Sequence, residues 1–549
     1  MTESNDRVVK GAMTVNRSGK DADVLVVGGG HNGLICAAYL ARAGHDVLLV
    51  EARDEVGGCA STVEDLGARF NICNCDHTMI RALPVMDELD LAGHGLRYIE
   101  PDPGLIAAFY DDHEPWVFLH DVDDHLDLLS RSMPGQVDAY RRYLDDALPV
   151  ASLVVEMATT LPQSHRMLLA AAKLRGAGAA RLLSWAKRSA EDVLTDYFDD
   201  WRMWMPAVGI GPSVWGIPPS TPGTGLAAAV YAVRHLVRSG RPAGGSGALT
   251  DAVRASFEAA GGQVRCGEWV ERLLLDDGRA VGVALRGGET LRAPVVVAAC
   301  DPQRVFVDWI GEVPPAARDL VQQWRDRPIF DGYESKIDAV LTEAPRYRYA
   351  VGAAAELDLV GPTTIVSPTP EELADAHRGR TEGRVAERPS ILMNVPSAVD
   401  PSMVTAEGSH VLSLEILFTP YALQGGWPDS SEPERWLGLW AGLAEPGARD
   451  SVTAWRAMTP DRYEREFAMH RGHTPAYAGS PLAALVGRQR ELTRYRTPVE
   501  GLYLSGAATF PGAGVFGAAG RNAANAVDTD LRGAATGPLG SIQRLVGVR

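Results

Sequence analysis

The sequence predicts an α/β fold in two lobes, one of them built around a parallel sheet. Three observations predict it. Residues 23–51, DVLVVGGGHNGLICAAYLARAGHDVLLVE, run apolar strand, glycine turn, apolar helix, apolar strand. A second strand, glycine turn and helix pattern closes the chain at 494–527. The length of 549 residues exceeds what one hydrophobic core organises, so two bodies are expected.

The first segment justifies its parts in order. DVLVV suits a strand buried on both faces. Gly28, Gly30 and Gly33 follow with G-x-G-x-x-G spacing. The first glycine permits the tight turn, the second a close backbone approach to a pyrophosphate, and the third close packing of helix on strand. GLICAAYLARAG reads as the helix, with Gly44 as its C-cap. Its N-terminus offers free N–H groups to phosphates. DVLLV is the next strand, and Glu51 ends it 18 residues beyond Gly33 (51 − 33), where an acid accepts hydrogen bonds from ribose hydroxyls. An isolated glycine motif is weak; strand, glycines, helix, strand and acid in sequence define a Rossmann-type unit. The motif by itself fits FAD or NAD.

The totals narrow the class. A formal charge of −17 argues against nucleic acid as a partner. Six cysteines without C-x-x-C or framework spacing predict reduced thiols and a cytoplasmic protein. The first 21 residues contain no apolar signal core and read as a mobile tail, and no apolar run reaches membrane-spanning length.

Glu51, Ala52, Arg53, Gly57, Gly58 and Cys59, in EARDEVGGC, resemble the E-A-R-x-x-x-G-G-R pattern of the flavoprotein amine-oxidase and phytoene-desaturase superfamily. Cys59 stands where that family has Arg. RYRTPVEGLYLSGAATFPGAGVFGAAGRNAANAV (494–527) resembles the C-terminal signature of phytoene-desaturase-like oxidoreductases, with Phe510 in place of a frequent His and Ala513 in place of Gly. Gly512, Gly514 and Gly517 repeat the glycine spacing, but no further strand and acid follow for a second nucleotide site. RPAGGSGAL and VVVAACDP are similar to further family segments. The resemblance covers about 22–530 and is weak at 105–200 and 340–485.

The resemblance implies FAD as cofactor. It implies cofactor contacts at Gly28, Gly30, Gly33, Glu51, Ala52, Arg53, Gly57, Gly58 and Cys59, at Val270 beside the adenine, and at Gly506, Gly514, Val515 and Asn522 towards the flavin. It implies an FAD-binding domain from 22–105, 240–305 and 490–532, a substrate lobe of α+β type from 106–239 and 306–489, and a C-terminal tail over 533–549. Relatives often carry Lys at the position of Lys336, which suggests a lysine near the flavin.

RFNICNCDHTMIR (69–81) gathers Cys73, Cys75, Asp76, His77 and Arg81. If it is extended, Cys73, Cys75 and His77 share one face. A C-x-C disulfide is geometrically poor, and C-x-C-x-H lacks zinc spacing and a fourth ligand, so no metal is expected. Two readings stay open. The cysteines could be small fillers beside a turn, or the segment could form a wall of the flavin pocket. In the second, Cys73 lines it, Asp76 or His77 acts as base, and Arg81 binds an anion. His470 and His473 are further candidates for substrate contact. Trp201, Trp204, Met205 and Trp215 could wall an apolar cavity or pack the core. Residues 157–190 hold six basic side chains and no acid, either a solvated helical excursion or a peripheral membrane contact.

The expected function is an FAD-dependent oxidoreductase, a dehydrogenase or desaturase, moving a hydride from a lipophilic or secondary-metabolite small molecule to flavin. The electron acceptor is open. An amine or amino-acid oxidase is the alternative, and a non-catalytic binding protein of the GDP-dissociation-inhibitor kind is a third.

Overall fold

The computed structural model describes residues 19–73, 75–111, 113–159, 177–328, 332, 334–404, 408–473 and 487–545. Two sheets organise them. The first has five strands in the order Leu502–Leu504, Val295–Ala298, Val24–Val27, Val47–Val50 and Gln263–Arg265. All its pairings are parallel. Its central strands VLVV, VLLV and VVVA are buried along their whole length, as a sheet covered on both faces requires. Helix His31–Arg42 covers one face, with Gly247–Ala259 and the start of Ala518–Leu545 beside it, around Leu34, Ile35, Leu249, Phe257 and Ala523. This sheet draws strands from three separated parts of the chain. A three-stranded antiparallel meander, Val270–Asp276, Arg279–Leu285 and Thr290–Arg292, is inserted between two of them.

The second sheet has seven strands, in the order Val452–Met458, Glu334–Leu341, His410–Leu417, Ile391–Asn394, Thr364–Ser367, Leu105–Phe109 and Trp116–Phe118. Only Thr364–Ser367 and Leu105–Phe109 run parallel. The strand from Leu105 therefore belongs to this sheet rather than to the nucleotide-binding part, one residue before the expected boundary. Helices Val137–Thr159, Trp201–Gly209 and Val230–Leu236 pack against it through Tyr140, Tyr143, Trp204 and Tyr231.

Three expectations differ from the structure or lie beyond it. Helix Ala518–Leu545 continues through most of the segment read as a tail from 533. The segment at 69–81 is a strand only over Ala68–Asn71, paired with Thr62–Asp65; the Ile72 N–H still reaches the Ser61 carbonyl (3.0 Å), and the ladder ends there, the Ile72 carbonyl being taken by the Tyr463 hydroxyl (3.1 Å). Most of the N-terminal tail (1–18), residues 160–176 of the basic stretch and the Trp215 side chain lie outside the described residues. Trp204 and Met205 are core, and Trp201 packs edge-on against Phe109.

Candidate active site

A cavity of about 670 Å³ lies where the two sheets meet. The nucleotide loop forms one side of it. Gly28 has φ +105°, a conformation only glycine adopts without strain. A Cβ on Gly33 would stand 1.9 Å from the Gly28 carbonyl oxygen, so helix and strand could not close up around any other residue. A Cβ on Gly30 would meet nothing within 4 Å, because that position opens onto the cavity. The N–H groups of the first turn of His31–Arg42 face the same space, and the buried His31 Nε2 has no hydrogen-bond partner. Burial depresses the His31 pKa to about 4, so the ring is neutral there.

Glu51 is fixed at the strand end by N–H groups from Gly29 (2.6 Å) and Arg53 (2.9 Å), and it faces the cavity. The loop after it doubles back: Gly57 N–H donates to the Gly29 carbonyl, and a Cβ on Gly58 would lie 3.1 Å from the Gly30 Cα. Gly267 and Glu268 N–H groups bond the Arg53 and Glu51 carbonyls, which brings Trp269 and Val270 to the rim. The C-terminal signature arrives as Gly506, Phe510, Ala513, Gly514 and Val515, all on the cavity wall. Asn522 is not on that wall. Its amide donates to the Tyr495 hydroxyl (2.9 Å), which donates to the Phe510 carbonyl (2.7 Å), so Asn522 acts by pinning the glycine-rich turn. Gly57 likewise shapes the loop from behind.

These features fit a dinucleotide: an open glycine cradle, free N–H groups at a helix N-terminus, an acid at the second strand end, and an orphaned imidazole nitrogen.

The expected catalytic residues separate. Cys73 lines the cavity, its thiol 3.4 Å from Glu334 Oε1 and in hydrogen-bond contact with Cys59. That contact lowers the Cys59 pKa and raises that of Cys73, to which burial and Glu334 also contribute. Cys59 also reaches Met469 Sδ at 3.3 Å. Asp76 touches the cavity but is committed elsewhere: Arg241 Nε donates to one oxygen (2.7 Å) and the Thr363 hydroxyl to the other (2.6 Å). Burial pushes its pKa up, yet the Arg241 charge and these hydrogen bonds hold it below the usual range.

His77, Arg81 and Lys336 do not line the cavity. His77 is sealed between the Tyr98 hydroxyl (2.9 Å) and Ser246 Oγ (3.2 Å), and burial depresses its pKa to about 3. It is a structural imidazole rather than a base. Arg81 pairs with Glu100, donates to the Arg238 carbonyl (2.7 Å) and lies over the Tyr98 ring, so it is not presented to a substrate anion. Lys336 pairs with the buried Asp338, not with the cofactor space. Of the two histidines, His470 lines the cavity with Nε2 unpartnered, and His473 is not on the wall.

Sequence reasoning missed Glu334 and Glu415, two carboxylates on adjacent strands that reach the cavity. The signal was present: Glu415 is a lone acid in the apolar run VLSLEILF, and Glu334 alternates with Lys336 and Asp338 in the strand-like YESKIDAVL. It also missed the aliphatic wall formed by Met157, Val214, Ile217, Leu226, Val230 and Val233. Among the described residues no cluster of His, Cys, Asp and Glu could hold a metal, and all six cysteines are free.

Fold and site define a protein with a Rossmann-type dinucleotide-binding cavity, and comparison with known proteins places it among similar chains. Residues 26–84 match the family described as NAD(P)-binding Rossmann-like domain. The chain is 28% identical to pyridine nucleotide-disulfide oxidoreductase domain-containing protein 2 of Rattus norvegicus, over 93% of this chain and 94% of that one. It is 27% identical to one component of the limonene dehydrogenase of Castellaniella defragrans (93% and 95% covered) and 27% identical to the lycopene-forming phytoene desaturase of Paracoccus sp. (91% and 96%). Among solved structures, putrescine oxidase bound to putrescine superposes with a TM-score of 0.61 at 17% identity, covering 93% of this chain and 99% of that one, a likeness of fold. Over nearly its whole length the chain is therefore similar to proteins named as oxidoreductases, dehydrogenases and desaturases, and it carries a Rossmann-type dinucleotide-binding unit.

Proposed function

We propose that the protein is a dehydrogenase or desaturase that removes a hydride from a C–H bond of a neutral, lipophilic small molecule. The carrying observation is the aliphatic wall of Met157, Val214, Ile217, Leu226, Val230 and Val233, continuous with the glycine cradle in one cavity. Such a wall gains free energy from apolar surface alone, about 25 cal/mol per Å² buried. The relatives named for limonene and phytoene, both hydrocarbons, support the same class. FAD supplies the two-electron acceptor. The residues in contact with it on this reading are Gly28, Gly30, Gly33, Glu51 to Arg53, Gly58, Cys59, Val270, Gly506, Gly514 and Val515, with Gly57 and Asn522 shaping the loops. With the cofactor bound, the first-turn N–H groups would hold its pyrophosphate and Glu51 would orient its ribose, and the aliphatic wall would exclude water from the reacting carbon. The division into an FAD-binding part (22–105, 240–305, 490–532) and a substrate lobe (106–239, 306–489) belongs to the same proposal.

Two finer assignments accompany it. The helix Val137–Thr159 lines the cavity through Val154 and Met157 and runs into the start of the basic stretch, which suits a peripheral membrane contact that delivers an apolar substrate. Free thiols throughout suit a reducing, cytoplasmic setting. Among the described residues no helix is long and apolar enough to cross a membrane.

The test is anaerobic. Purified protein should carry flavin, and its absorbance should bleach with isoprenoid hydrocarbons or polyenes but not with primary amines or amino acids. Bleaching by amines alone would sink the proposal.

A further inference from the structure

We propose that Glu415, paired with Glu334, is the acid–base group of the flavin reaction, a carboxyl pair that carries one proton into the cavity and exchanges it with the substrate carbon. This rests on the proposed dehydrogenase function and adds to it the residue that handles the proton.

The geometry starts from strand register. In the antiparallel pair of Glu334–Leu341 with His410–Leu417, Lys336 stands opposite Glu415 and Glu334 opposite Leu417. Side chains two apart on a strand share a face, so Glu334, Lys336, Asp338 and Glu415 all project from one side of the sheet. Glu334 and Glu415 are diagonal neighbours there, within reach of each other's charge.

Their partners differ. Asp338 takes Lys336 and both Nε (3.1 Å) and Nη2 (3.0 Å) of Arg456, so it is fully committed. Glu334 meets the Cys73 thiol. Glu415 is only 6% exposed and lines the cavity, yet among the described residues no donor reaches its carboxylate. A buried carboxylate without donors keeps its proton. Burial first, and the Glu334 charge second, raise the Glu415 pKa to about 8 against the pull of Lys336. The groups around it are Glu334, Lys336 and Asp338 on the neighbouring strand, Cys73, Cys75 and Asp76 on the connection after the hairpin, and Tyr463 on helix Pro460–Phe467. Lys336 is bound to Asp338, which leaves Glu415 with Glu334 as its diagonal carboxyl neighbour.

A line of contacts joins this pair to the nucleotide loop. Glu334 touches Cys73, Cys73 touches Cys59, and Cys59 follows Gly58, which lies against Gly30. The carboxyls therefore sit beside the cofactor space and not in a remote corner of the cavity.

In the balanced step a –CH2–CH2– unit becomes –CH=CH–. One C–H bond leaves with both electrons, as hydride, to the oxidised flavin. The neighbouring C–H bond gives its electrons to the new double bond and its proton to the ionised member of the pair. The substrate loses two electrons, the cofactor gains them, and the pair goes from one proton to two before releasing the extra one to solvent. In the reverse direction Glu415 donates.

Infrared difference spectra of the flavin-loaded protein between pH 6 and 10, without substrate, test this directly, alongside stopped-flow bleaching by a neutral apolar substrate. A buried carboxylic C=O band should disappear as pH rises through about 8 in the wild type and be missing in Glu415→Gln. Glu334→Gln should move the midpoint down. Glu415→Gln should bind flavin normally and bleach about 10²–10⁴-fold more slowly. No titrating band, or wild-type bleaching in Glu415→Gln, overturns the proposal. So does a variant that loses only affinity for ammonium-bearing ligands, which would make Glu415 a cation anchor. Wild-type protein that holds flavin and is bleached by no neutral apolar substrate overturns the function as well, and is recognised before any variant is examined.

Discussion

The two sheets that meet at the cavity treat charge in opposite ways. The central strands of the nucleotide sheet, VLVV, VLLV and VVVA, contain no ionisable side chain, and their polar work is done by backbone N–H groups and by Glu51 at a strand end. The seven-stranded sheet buries Glu334, Lys336 and Asp338 on one strand and Glu415 on the next. The difference separates binding from chemistry. A dinucleotide is held by turn geometry, which needs glycine and little else. A reacting carbon needs side chains of chosen protonation, which a sheet can present only by burying charge at a cost.

The sharpest way to break the nucleotide half is Gly33→Ala. The new Cβ would stand 1.9 Å from the Gly28 carbonyl oxygen, backbone that cannot move without opening the first turn. Overpacking of this kind costs about 1–3 kcal/mol. Because the strain falls on the cradle itself, flavin released on denaturation should drop at least tenfold per chain, about 1.4 kcal/mol of binding. Normal flavin content in Gly33→Ala would mean that the cradle is not where the cofactor binds.

That contrast also explains what was legible. The glycine unit, the acid at position 51 and the C-terminal turn are local patterns, and the structure brings Gly28, Gly30, Glu51, Gly506, Gly514 and Val515 onto one wall. Asp76, His77 and Arg81 looked reactive because they are ionisable neighbours in sequence. Whether an ionisable side chain is free depends on partners far away: Arg241 and Thr363 for Asp76, Tyr98 and Ser246 for His77, Glu100 for Arg81. Glu334 and Glu415 were visible as oddities, 81 positions apart (415 − 334), but their meeting depends on a strand register that no local pattern fixes.

A smaller effect sharpens the seam between the two halves. Arg241 is buried against Asp76 and also donates to the Gly361 carbonyl and Thr363 hydroxyl, so it ties the loop after the hairpin to the second sheet. Arg241→Met leaves Asp76 charged and buried, and should lower unfolding free energy by about 3–5 kcal/mol in denaturant titration. Arg241→Met with Asp76→Leu should recover much of that loss. The pH sign follows from Asp76. Its folded pKa lies below the ordinary value, so the stabilisation is present above the ordinary carboxylate pKa and is lost as pH falls through the folded one. Arg241→Met should remove this part of the acid sensitivity. Equal acid sensitivity in wild type and variant would mean that the pair does not couple the two halves.

The smallest effect is expected at Arg81, and it separates structural charge from chemical charge most cleanly. Its guanidinium lies over the Tyr98 ring with Glu100 beside it, and the Arg81 side chain keeps one fifth of its surface in solvent (20%) and that of Glu100 more than a third (37%). Partly exposed pairs contribute about 0–1 kcal/mol. Arg81→Met keeps the length of the stem, so its packing on Tyr98 survives while the charge is lost. Stability should fall by no more than about 1 kcal/mol, and flavin content and the bleaching rate should be unchanged. An anion-binding role predicts the reverse, stability intact and the apparent affinity for a carboxylate-bearing substrate lost. A rise in KM for such a substrate, with kcat held, would return Arg81 to the site and move the substrate class towards amino acids. Unchanged kinetics would leave the charge that matters for chemistry on the seven-stranded sheet.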